Sequence, residues 1–86
     1  MEYNIFIIKR HIIFFTTRTK HITDYIVPYL TENGIPEENI AVSFSNTDAE
    51  AKFSDTLLHN KVRTEAYLSK HEDLPDDIKV FITTSL

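Results

Sequence analysis

The chain has 86 residues, no cysteine, a single glycine and a formal net charge of −4. That length allows one domain with a marginal core, and the missing cysteines exclude both a disulfide framework and a thiolate metal site and point to a reducing, cytoplasmic setting. With Gly34 as its one glycine, the chain cannot build a phosphate-cradling loop, which needs two glycines followed by Lys and Ser or Thr, so nucleotide hydrolysis by this chain alone is not expected.

Charge is distributed unevenly. Residues 1 to 23 carry Lys9, Arg10, Arg18 and Lys20 against Glu2 alone, whereas the remainder carries five basic against twelve acidic side chains. The basic third could meet phosphates locally, but the acidic body repels a polyanion at longer range, so nucleic acid is expected to bind weakly if at all.

Tyr3 to Ile8 is rich in isoleucine and reads as a lead-in segment or an edge strand within residues 1–10. The lead-in is favoured, because Lys9-Arg10 lacks the Gly or Asn that tight hairpins prefer. The aliphatic stretch from Ile5 to Phe15 is broken by Lys9-Arg10-His11 and is shorter than the roughly 20 residues of a membrane span, so no membrane partner is expected. His11 to Thr16 is continuously apolar, the pattern of a strand covered on both faces.

From Lys20 to Asn33, Ile22, Ile26, Tyr29 and Leu30 recur at helical spacing, and Gly34 followed by Pro36 is a helix stop. Pro28 removes a helical hydrogen bond at a cost of about 3 kcal/mol, so a kink or a helix beginning only near Asp24 is expected. Ile40 to Phe44 is a second strand, ended by Ser45-Asn46. Thr47-Asp48-Ala49-Glu50 has capping-box spacing and predicts a helix with Ala49, Phe53 and Leu57 inward. Val62, Ala66 and Leu68 extend the helical pattern to about His71. Leu74-Pro75-Asp76-Asp77 is a turn, and Ile78 to Thr84 is a third strand.

This alternation predicts an α/β fold with a short parallel sheet of about three strands and flanking helices. In such a sheet ligands meet the carboxyl ends of the strands. Thr16-Thr17 and Thr83-Thr84 end two of them, so four hydroxyls are expected on one edge, with Arg18 and Lys20 directly beyond the first pair. Hydroxyls, basic side chains and backbone amides are good phosphate ligands. The histidines His11, His21, His59 and His71 share no ligand-like spacing and are expected to be ordinary, partly exposed imidazoles; no metal site is expected. Glu37-Glu38 and Asp76-Asp77 read as solvated loop carboxylates, and no serine sits in a nucleophile-elbow sequence, so no catalytic residue can be nominated.

The ordered series IIFFTTRTK, a helix, AVSFSN, a helical stretch and LPDDIKVFITTS resembles the first half of the C-terminal RecA-like domain of superfamily 2 helicases, over residues 11–86. Thr17 matches the threonine of motif IV, Arg18 its basic neighbour, and Thr84 the threonine that opens motif V; Ser45 matches a position on the nucleic-acid side. The resemblance implies a partial RecA-like domain in which Thr16, Thr17, Arg18, Ser45 and Thr84 contact a sugar-phosphate backbone. Ser85 falls where many relatives carry Asp.

Walker A, Walker B, the Gly-x-Asp-Ile end of motif V and the arginine-rich motif VI are absent. The resemblance therefore implies a non-catalytic, truncated domain that needs no cofactor alone, where intact relatives use ATP and Mg. Its implied partners are an N-terminal helicase domain or a second copy of itself, and truncation is expected to leave Phe81 exposed. The alternative is a small standalone α/β interaction protein that binds a protein partner through an open sheet edge.

Overall fold

The computed structural model describes residues 3–44 and 52–84. Strands β1 (Tyr3–Ile8), β2 (His11–Thr16), β3 (Ile40–Ser43) and β4 (Val80–Thr83) form one sheet in the order β1-β2-β4-β3. The strands β2, β4 and β3 run parallel, as the alternation of elements predicts, and β1 adds an antiparallel edge.

Tyr3–Ile8 is thus a strand, where the sequence favoured a lead-in segment. Ile8 pairs with His11, so only Lys9 and Arg10 make the turn. Lys9 takes φ 56°, the left-handed conformation that primed two-residue turns require and that costs a side chain with a Cβ about 1–2 kcal/mol. Its ammonium reaches Asp73 Oδ1 at 2.7 Å, a partner 64 positions away that no local turn rule could supply.

Helical structure runs from Thr19 through α1 (Thr19–His21), a π-helical segment (Ile22–Ile26) and α2 (Val27–Glu32). It begins before Asp24, and Pro28 acts through the π segment. The Val27 N–H donates to the Ile22 carbonyl, five residues back, so the wide turn falls immediately before the residue that has no N–H to offer. At the end, Gly34 adopts φ 91°, and Gly34 and Ile35 donate to Thr31 and Leu30 at 3.2 and 3.0 Å. These two bonds are a Schellman closure, the stop that Gly34 predicts.

Alternation along the strands sends Phe14, Val80, Ile82, Ile40 and Val42 to one face, where Ile22, Ile26, Val27, Leu30 and Leu57 pack against them. On the other face Ala41, Ile78 and Phe81 meet Ile13 and Leu74. Each fully buried aliphatic side chain contributes roughly 1.5–3 kcal/mol. Phe81 is only 8 % exposed, contrary to the expectation from truncation, because β4 is an inner strand and Leu74 covers it. Among the described side chains of the strands, Ile5 and Ile7 on β1 are exposed, at 57 % and 76 %.

Helix α3 (Asp55–Ser69) starts later than the capping-box spacing suggests. Residues 47–50 lie outside the described residues; Ser54 is the cap, its Oγ accepting from the Leu57 N–H at 3.2 Å. Phe53 precedes the helix and stacks on Phe44 at 5.1 Å. The inward stripe is Leu57, Asn60 and Thr64, whereas Val62 is exposed and Leu68 partly so. The stripe is polar because α3 packs on β3, the sheet's outer strand, and Asn60 donates to the Ile40 carbonyl on β3 and to the Glu37 and Glu38 carbonyls just before it.

Candidate functional site

The strand ends carry the candidate site. Phe15 and Ser43 both pair with Thr83, so the carboxyl ends of β2, β4 and β3 share one rim. Continuing the register by one residue sets Thr16 opposite Thr84, with Thr17 and Arg18 leading out of the rim. The Thr84 N–H donates to the Ser43 carbonyl at 3.1 Å, extending the β3–β4 ladder to the last described residue.

Two of the four expected rim hydroxyls are turned inward. Thr16 is fully buried and Thr83 is 4 % exposed, because adjacent strand residues face opposite sides of a sheet that is covered on both. The Thr16 Oγ1 accepts from the Arg18 N–H at 3.3 Å, closing a local turn at the strand's exit. Thr16 therefore shapes the rim and is not available as a backbone contact, which corrects the role that the resemblance implied for it.

Thr17 and Arg18 are exposed, and Thr84 is half-buried. These three are the accessible members of the expected set. Ser45 and Ser85 lie outside the described residues. The accessible chemistry is two hydroxyls and a guanidinium, suited to contacting phosphate oxygens and offering no general base or nucleophile pair.

Other polar groups are organised away from the rim. Asp77 accepts a fork from Arg63, with Nη1–Oδ1 at 2.9 Å and Nη2–Oδ2 at 2.6 Å. That hydrogen bonding holds the Asp77 carboxyl below the usual carboxylate range and raises the Arg63 guanidinium. The hydrogen bond from Lys9 likewise lowers Asp73. Asp77 is thus an ion-pair partner, more than the solvated loop carboxylate that its sequence context suggests.

The residue that sequence reasoning missed is His11. It is buried, and its Nδ1 donates to the Ile78 carbonyl; a histidine at the start of an apolar run carries no local sign of a partner 67 residues on. Among the described residues, no group of three or more His, Cys, Asp or Glu is placed to hold a metal ion, and no helix is long and apolar enough to cross a membrane.

Fold and rim together define an α/β protein with a mixed four-stranded sheet and a polar strand-end edge. Compared with protein-family models, curated proteins and solved structures, the chain matches none.

Proposed function

We propose that this chain is a non-catalytic module of the helicase C-terminal type, whose β2–β4 rim makes weak, sequence-independent contacts to a single-stranded sugar-phosphate backbone. The observation that carries the reading is the register: Phe15 beside Thr83 brings Thr17, Arg18 and Thr84 to one edge of adjacent, co-directional strands. Thr17 and Arg18 reach solvent there, and the acidic body of the chain keeps the affinity low. The reading asks nothing of ATP or Mg, which helicases bind through Walker A, Walker B and motif VI.

Anisotropy of a labelled single-stranded oligonucleotide, titrated at several salt concentrations, tests this. Weak binding is expected, and Arg18→Ala should reduce the slope of log K against log salt by about 0.7, the loss of one phosphate contact on a single strand. Binding unaffected by Arg18→Ala, Thr17→Ala and Thr84→Val would remove the rim from the account. ATP hydrolysis by the pure chain would remove the non-catalytic reading.

A second reading, self-association through the β1 edge, is favoured by a separate observation. β1 contains no charge and no proline to guard its outer side, and Ile5 and Ile7 stand exposed on it. Edges of that kind pair with further strands.

A further inference from the structure

At the opposite end of the strands from the rim lies a cavity of about 190 Å³. Ile13, Leu68, Leu74 and Phe81 give it an apolar lining, and His11 is its buried polar member. A carbonyl can only accept, so the bond to Ile78 fixes the proton of neutral His11 on Nδ1 and leaves Nε2 with a bare lone pair. The one hydrogen bond of the His11 ring seen among the described residues is that of Nδ1, and His11 lines the cavity.

We propose that this cavity binds a small neutral ring bearing a hydroxyl, of the phenol class, with its O–H donating to His11 Nε2. The volume suits a single ring, since a cavity of about 150 Å³ is enough for benzene. Among the lining residues Glu72 and Asp73 accompany Lys9, and with His11 neutral that excess of negative charge disfavours a carboxylate ligand. The Lys9–Asp73 pair ties the β1–β2 turn to the segment before β4 and so forms one wall. This site is independent of the rim, and its failure would leave the proposed function untouched.

The test is an NMR titration of the whole chain with p-cresol, toluene and benzoate in parallel. p-Cresol should shift the His11 side-chain nitrogens and the Leu74 and Phe81 amides, with a Kd at least tenfold below that of toluene and of benzoate. His11→Phe should erase the advantage over toluene. Leu74→Trp, which fills the cavity while leaving His11 in place, should abolish binding and guards against a His11 variant that fails to fold. The proposal is overturned by no shift at the solubility limit of p-cresol, by equal affinity for toluene, by tighter benzoate, or by shifts that map away from this cavity.

Discussion

Asn60 on α3 donates from Nδ2 to the carbonyl of Ile40 at 2.9 Å and seals the outer side of β3. The Asn39 and Ser43 carbonyls accept from the β4 side, from Lys79 and Thr84, so the Ile40 carbonyl is turned outward, where a sheet edge would otherwise leave it unpaired. The same amide donates to the Glu37 and Glu38 carbonyls, both at 3.2 Å, while its Oδ1 accepts from Arg63. One side chain thus holds the outer parallel strand to its covering helix.

Asn60→Ala should therefore cost about 2–3 kcal/mol in urea unfolding, the penalty of leaving a buried carbonyl unsatisfied together with the loss of the other bonds. A cost under about 0.5 kcal/mol, typical of a surface substitution, would show that water replaces the amide.

The Arg63–Asp77 fork makes stability depend on acid pH. Hydrogen bonding lowers the folded-state pKa of Asp77, so its contribution is fully present above the unfolded value near pH 4 and is lost as pH falls through the folded value. Because Asp77 is half exposed, the contribution should stay below about 1 kcal/mol. Asp77→Asn should lose that amount at neutral pH and show a shallower decline in stability between about pH 4 and pH 2, measured by urea unfolding across that range.

His71 occupies a position that suits glycine. Its φ is 59°, and the His71 and Glu72 N–H groups donate to Leu68 and Tyr67 at 3.0 Å each, the same closure that Gly34 makes after α2. Relieving a Cβ of its left-handed strain in His71→Gly should raise stability by about 1 kcal/mol, or Tm by about 4–8 °C for a domain of this size. An unchanged or lower Tm would contradict it.

The two kinds of isoleucine in the sheet should separate cleanly. Ile82 is fully buried, and Ile82→Ala should cost about 2–5 kcal/mol. Ile5 and Ile7 are exposed, so Ile5→Lys with Ile7→Lys should change stability by no more than about 0.5 kcal/mol per site while lowering any concentration-dependent association. Light scattering after size exclusion, read beside thermal melts, checks both arms.

What the sequence determined by itself was whatever depends on neighbours along the chain. Continuous apolar runs marked β2, β3 and β4, Gly34 stopped the first helix, and Pro28 announced a departure from α-helical bonding. The threonine pairs correctly drew attention to the strand ends, but alternation across a sheet covered on both faces buried Thr16 and Thr83.

Tertiary structure decided the rest through partners far away in the chain. A turn without glycine became a hairpin with Lys9 bound to Asp73, a polar stripe at Asn60 and Thr64 became the inner face of α3, and His11 was buried against the Ile78 carbonyl. Local pattern reports which residues avoid water. It cannot report which polar groups find a partner once water is gone, because that requires two distant segments to meet.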